Sequence, residues 1–535
     1  MKQSLVQKVL IIGWDGATWA YIDPLLAKGK LPHLQNLLNS GVRAVLRSTR
    51  PPYTNIAWPS LVTGLSPVKT GVYDAALRLP GSYQTTPYNL SGHRGAPIWQ
   101  WIAQFGRRAG VLNVPMTFPA AAVNGYLVTG FDSTLDSDQI AYPRQILADW
   151  AAQGHPYRIL EEETALMDSQ NPHQPRGNAA DFTARWARLT EEQGEFSAWL
   201  WQSQPVDLMF VVFSGTDSIN HRTRDMMAIT AVYQAADKAL GRILETLDEQ
   251  TLVCLVSDHG STPADRYISL NRALHEGGWL RYKPELAGRY WRRVPAGNIA
   301  QTVWQRLPQT ARRLISRPLL RRDGRLAAAY ENIDWPRTKA FVRSSMGPVY
   351  INTHGRYPQG RVSSANYETV QAALKAWFEQ LTDGNGRALF QRVWRRQELY
   401  PGAPASDDAP DLLLEPADWR DHMVVGFPTD PLTRPIPAEN EYGTHTPDGI
   451  LALYGPGVKK GVALEPAHIT DPVPTILAAW GLPIPEPVDG QVLTAAFTHL
   501  PPVKRLAADI QPPARHSLSE SDEVVNRLRA LGYLD

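Results

Sequence analysis

The sequence predicts an α/β protein with a mostly parallel central sheet flanked by helices. Three stretches carry that expectation. Residues 252–256 are five apolar residues in a row, and 8–14 and 206–213 have the same character. Such runs read as strands buried on both faces, the kind found in parallel sheets. A long helical stretch, 224–249, lies between the last two and completes a βαβ pattern. Each run ends in polar residues: Asp15-Gly16, then Ser214 to His221, then Ser257-Asp258-His259-Gly260. The carboxyl ends of parallel strands are where open α/β sheets hold their ligands.

Composition narrows the class. The chain has 535 residues, 43% hydrophobic and 20% charged, which describes a globular protein and excludes a disordered one. A net charge of +2 excludes a chain-wide polyanion-binding signature, so no sequence-specific nucleic acid binding is expected. The one cysteine, Cys254, lies inside a buried run, cannot form an intramolecular disulfide and reads as a small core hydrophobe. The amino terminus has no apolar stretch followed by a small-residue cleavage site, and no run approaches the roughly 18 apolar residues that span a bilayer. A cytoplasmic setting is expected.

Taken in order, the strand at 8–14 is followed by helical sequence to Gly41, interrupted around residues 29–32, and by a short strand at 43–48. The segment 51–64 contains Thr54 and Pro59. Proline fits the first turn of a helix, where its missing N–H costs nothing, so Thr54 is expected just before a helix N-terminus. Free N–H groups and the helix dipole favour an anion there, although a loop or capping role for Thr54 reads equally well from this stretch alone. A helix at 96–105 and strands at 109–114 and 127–131 come next. Residues 140–205 read as mostly helical, with the polar segment 168–178 as a surface loop.

The pattern breaks after about residue 265. Residues 281–325 hold eleven Arg, one Lys and two acids, with Trp291 and Trp304 among them. We read 266–335 as a basic inserted cap subdomain, helical in part. Its charge fits a solvated face, a funnel for phosphate substrates or a contact with an anionic surface. The α/β pattern resumes with strands at 340–343, 349–352, 388–394, 410–415 and 449–454, and helices at 366–382 and 471–480. Residues 1–265 and 336–500 therefore form one discontinuous domain. Residues 501–535 read as a linker and a C-terminal helix at 522–531.

Ligand-type side chains gather at four strand or loop ends: Asp15, Asp217 with His221, Asp258 with His259, and His445 in Gly443-Thr-His445. An Asp beside a His is ambiguous alone, because a capping Asp next to an incidental His looks the same. With Thr54 the set is three Asp, three His and one hydroxyl. Carboxylate and imidazole ligands without thiolate suit zinc, with manganese second. Two divalent ions sharing such a set can clamp both oxygens of an in-line displacement at phosphorus. A metal-bound threonine hydroxyl is acidic enough to act as a nucleophile.

The order and spacing of these segments resemble the alkaline phosphatase superfamily, in its type I phosphodiesterase/nucleotide pyrophosphatase branch. The matching segments are Asp15-Gly16, Thr54 with Thr63-Gly64, Asp217-x-x-x-His221, Ser257-Asp258-His259-Gly260 and Gly443-Thr-His445, with Asp471 to Thr475 and Pro487 to Gly490 later. The stretch from Val525 to Leu534 is similar to the ends of prokaryotic members. The resemblance implies an alkaline-phosphatase-like sandwich as the catalytic domain. It implies one zinc held by Asp217, His221 and His445 and another by Asp15, Asp258 and His259, with Thr54 bridging toward the substrate. It also implies hydrolysis of phosphodiesters or nucleotide pyrophosphates, small-molecule phosphoesters, through a covalent phospho-threonine.

The chain departs from the branch at one point. Nucleotide pyrophosphatases place an Asn 21 residues after the nucleophile, and here that position is Ala75, preceded by Asp74. Asn55 is the candidate replacement as a phosphoryl-oxygen donor, or backbone N–H groups are. Three alternatives stay open: a phosphomonoesterase, a phosphoryl transferase of the same superfamily, and a binding protein that keeps the fold without turnover. Sulfatases fit less well, because Cys254 has no C-x-P-x-R context, and phosphoglycerate mutases use a Ser nucleophile followed by a large insert.

Overall fold

The main sheet runs, from one edge to the other, Val462–Ala463, Val42–Arg47, Asp448–Tyr454, Thr251–Val256, Lys8–Trp14, Leu208–Phe213, Ala109–Val114, Gly125–Thr129, Ala141–Tyr142, with Ala467–His468 also pairing Val42–Arg47. The computed structural model describes residues 4–283 and 332–507, apart from 75, 80, 88–93, 134–137, 160–166, 169–170, 176–178, 402–407, 427–429 and 438–441. Five adjacent strands, from Thr251–Val256 through Gly125–Thr129, are parallel. Asp448–Tyr454 runs antiparallel to both of its neighbours, and Ala141–Tyr142 closes the far edge antiparallel.

Continuous apolar sequence produces this sheet because both of its faces are covered. Side chains alternate between two layers: Leu10, Ile12, Val211, Val253 and Leu255 enter one core, Val9, Ile11, Phe210, Cys254 and Val256 the other. Each such aliphatic side chain contributes roughly 1.5–3 kcal/mol by leaving water, so one Asp on either face would break a core rather than a surface. Helices Trp19–Ala27, Pro32–Asn39, Ala179–Ser203 and Met226–Leu244 cover the first layer. Helices Thr54–Thr63, Ile98–Ala103 and Pro472–Ala479 cover the second. Burial pushes the Cys254 thiol up to about 12, which makes it chemically quiet.

A third core sits on a separate antiparallel sheet, ordered Ala340–Val342, Pro348–Ile351, Leu412–Pro416, Phe390–Arg395. Helices Leu270–Glu276 and Tyr367–Glu379 pack on it. Strand Arg266–Ser269 pairs parallel with Asp421–Val424 and antiparallel with Thr433–Pro435. Ile268, Leu274 and Leu280, from the start of the expected insert, therefore share a core with Ile333 to Val425. The basic residues beyond 283, and the expected helix at 522–531, lie outside the described residues.

Where sequence reading expected a surface loop at 168–178, a hairpin forms between Met167–Asp168 and Asn171–Pro175. Among the described residues its two strands pair with each other, and they carry no apolar alternation by which to detect them. Among the described residues no helix is long and apolar enough to cross a membrane.

Register fixes where the loops begin. Trp14 lies opposite Phe213 and Gly13 opposite Val256, so three neighbouring strands end on one line. With strands about 4.8 Å apart, residues just beyond those ends are forced together.

Candidate metal centre

Asp15, Asp217 and Asp258 follow these three strand ends, and all are buried completely. Asp217 lies in the first turn of a short helix, Gly215–Asn220, and His221 caps its end one turn later, so both face the same way. His445 arrives from far along the chain. The strand Gly443–Thr446 pairs antiparallel with Gly260–Pro263, Ser261 opposite His445, which brings His445 beside His259 with rings stacked at 3.7 Å.

Thr54 is itself the first residue of the helix Thr54–Thr63, rather than lying just before the helix as sequence reading expected. Extended Tyr53 caps it, its carbonyl accepting the N–H groups of Ile56 and Ala57. Pro59 therefore lies in the second turn rather than the first, where it forgoes one helical hydrogen bond.

The seven candidate residues converge. Two sets of ligand atoms each fall within 4.8 Å of one another: Asp15, Asp258 and His259, and Asp217, His259 and His445. His221 adjoins the second set, its Nε2 at 2.9 Å from His445 Nε2 and 3.3 Å from Asp217 Oδ2. Thr54 Oγ1 stands 3.0 Å from His259 Nε2. Asn55, the second helical residue, is buried next to it.

The surroundings aim these atoms inward. His259 Nδ1 faces the Gly260 carbonyl at 3.0 Å and His445 Nδ1 the Pro52 carbonyl at 3.0 Å. With Nδ1–H donated outward, each Nε2 lone pair points into the centre. Gly16 N donates to Asp258 Oδ1 at 3.1 Å, and Trp58 Nε1 donates to Asp15 Oδ2 at 3.2 Å. Thr216 and Ser261 hydroxyls hold the carbonyls of Asp15 and Gly16. Gly16 has φ +63°, and a Cβ there would lie 2.5 Å from Asp217 Oδ1, so only glycine lets that carboxylate approach.

The electrostatics fit a cation. Burial pushes the Asp15 carboxyl well above its ordinary range, and the charges of Asp258 and Asp217 add to it. Burial likewise raises Asp258, against the pull of His259. Burial would raise Asp217 too, but His221, His445 and His259 outweigh it and hold that carboxyl low. Burial, then the neighbouring His259, pushes His445 well below the usual imidazole value. Asp15 Oδ1 and Asp258 Oδ2 are buried and have no hydrogen-bond partner among the described residues, with His259 Nε2 at 3.8 Å and 3.2 Å from them. Two acids that resist ionising, Asp15 and Asp258, and an imidazole that resists protonation, His445, share one buried centre. A divalent cation satisfies both kinds of group at once.

In the loop that departs from the expected pattern, Asp74 is held by groups from the far side of the chain. Asp74 accepts hydrogen bonds from Ser344 Oγ and Tyr350 Oη and lies 3.4 Å from Arg343 Nε, which ties it to the antiparallel sheet. Ala75 lies outside the described residues. Lys69 binds the Pro487 carbonyl and Asp489. Sequence reading missed Trp58, whose indole reads as a core hydrophobe, and Arg222, buried directly after His221 with Nη1 on the His221 carbonyl.

The family profile described as type I phosphodiesterase / nucleotide pyrophosphatase matches residues 9–445. The chain belongs to that family. Its members are metal-dependent phosphodiesterases and pyrophosphatases that act on small phosphoester or nucleotide substrates. Two solved structures resemble it, each at 14% identity and TM-score 0.51, covering 92% of this chain and 100% of the other. One is murine ectonucleotide pyrophosphatase/phosphodiesterase 5, an inactive variant in complex with AMP; the other is the human protein of that name. At this identity the likeness speaks to the fold, which is alkaline-phosphatase-like as expected. No curated protein matches the chain. As a type I phosphodiesterase/nucleotide pyrophosphatase family member, the chain is a phosphoester hydrolase.

Proposed function

We propose that this hydrolase cleaves phosphodiesters or nucleotide pyrophosphates at a two-metal site, with Thr54 as the nucleophile. The convergence of three Asp and three His on one buried centre, with Thr54 Oγ1 3.0 Å from His259 Nε2, carries the reading. One ion would be held by Asp217, His221 and His445 and the other by Asp15, Asp258 and His259. Two divalent ions there, zinc first and manganese second, would acidify the Thr54 hydroxyl and take up charge on the phosphoryl oxygens.

The chain's own residues supply the rest. The extended Tyr53 cap presents Thr54 at a helix N-terminus, where backbone N–H groups and the dipole accommodate a non-bridging phosphoryl oxygen. Asn55, buried next to Thr54 in the same helix, would add a donor. The threonine oxygen forms a bond to phosphorus as the bond to the leaving-group oxygen breaks, and that oxygen departs with a proton as an alcohol or a phosphate. Water then cleaves the threonine ester and regenerates the hydroxyl.

A diester is favoured because a monoester dianion calls for an additional cationic clamp. Lys69, the one cation between Thr54 and Ala75 in sequence, is engaged by Asp489, and Arg343 is paired with Asp74. Arg222 supports the second reading, a monoesterase, because it is a buried cation directly after His221. Comparing matched aryl phosphodiester and monoester substrates decides between them. We expect the higher kcat/KM for the diester. A tenfold or greater preference for the monoester, lost in Arg222→Gln, would establish the second reading instead.

A further inference from the structure

We propose that Trp58 is a positioning residue for the metal bound at Asp15, its indole N–H orienting that carboxylate and tying it to the helix that carries Thr54. Trp58 is fully buried four residues after Thr54, and Nε1 donates to Asp15 Oδ2 at 3.2 Å. The other oxygen, Oδ1, has no hydrogen-bond partner among the described residues and lies on the side of His259. One oxygen is thus anchored and the other is left for a ligand, the arrangement by which outer partners fix a metal-binding carboxylate.

Gly13 is the second observation. It lies inside the buried strand Lys8–Trp14, where glycine weakens a strand by roughly 0.5–1 kcal/mol relative to alanine. A Cβ at Gly13 would lie 2.4 Å from Trp58 Cη2 and 3.0 Å from Val212 Cγ2. The glycine gives the indole its place across the strand that ends in Asp15, and Phe210 meets the ring edge-on at 6.0 Å. A residue wanted only for apolar volume would need neither the N–H nor the bare strand. Trp58 links the nucleophile helix and the metal centre through one hydrogen bond.

This inference rests on the two-metal reading, and zinc titration of the chelated full-length protein tests both separately. Wild type should show two binding events, one lost in Asp15→Asn and the other in Asp217→Asn. Trp58→Phe should weaken the Asp15 event by about 10–100-fold and leave the Asp217 event in place. Phe210→Leu, a cavity in the same layer, should lower Tm without moving either zinc affinity. If Trp58→Phe does not fold, benzothienylalanine at position 58 keeps the ring and removes only the N–H. Overlapping titrations of wild type and the N–H-less protein would overturn the inference alone, as would an equal loss in Phe210→Leu. A wild-type protein that takes up no zinc would overturn the two-metal reading and this inference together.

Discussion

Thr54 Oγ1 lies 3.0 Å from His259 Nε2, so the first residue of a helix and the end of a buried strand meet at one point. If Thr54 attacks phosphorus, Thr54→Ala lowers kcat by roughly 10³-fold or more while the metal content stays at the wild-type level. Thr54→Ser keeps a hydroxyl at the same place and retains part of the rate. Steady-state kinetics with an aryl phosphodiester, paired with metal analysis, check this. Near-wild-type turnover in Thr54→Ala would refute it.

His445 reaches the centre only through the pairing of Gly443–Thr446 with Gly260–Pro263. His445→Ala should therefore empty mainly the site shared with Asp217 and His221, lowering metal content from about two ions per chain to about one. Metal analysis after gel filtration reads the result. A variant that kept both ions and full activity would remove the carboxyl-terminal part of the site.

Stability and function should oppose each other at Asp15. Its folded pKa is raised, so ionisation costs the metal-free fold stability as pH rises above the unfolded value of about 3.9. Below that value the group is protonated in both states and the cost vanishes. In chelated protein, Asp15→Asn should raise Tm by a few degrees at pH 7.5, and the gain should shrink toward pH 4. The asparagine oxygen can still accept from Trp58, so that contact does not confound the comparison. A lower Tm for Asp15→Asn at pH 7.5 would contradict the account.

The basic stretch at 281–325 should act on encounter rather than chemistry. Neutralising several of Arg292, Arg293, Arg312, Arg313, Arg321 and Arg322 is expected to raise KM for anionic substrates more than it lowers kcat, with the difference fading at high salt. An unchanged KM at low ionic strength would return these residues to a solvated face.

Much of the centre was legible because parallel strands buried on both faces write themselves as unbroken apolar runs. The residues just beyond them, Asp15, Asp217, Asp258 and His259, stand out by contrast. What was not legible depends on contacts across the chain. Trp58 reads as core volume, and nothing local says that its N–H meets Asp15 or that Gly13 makes room for it. Asp74 reads as a loop acid next to the missing Asn, whereas Arg343, Ser344 and Tyr350, some 270 residues later, decide which way it faces. The helix start was placed late because Pro59 resembles a first-turn proline, a cue that Tyr53 overrides by capping the helix so that it begins at Thr54.

The central claim is that Thr54 carries the phosphoryl group. Turnover of a phosphodiester made chiral at phosphorus tests it most directly. Displacement by Thr54 and then by water inverts the phosphorus twice, so the account predicts net retention of configuration. Net inversion would mean that water attacks the substrate in one step, and would contradict a covalent threonine whatever the metals prove to be.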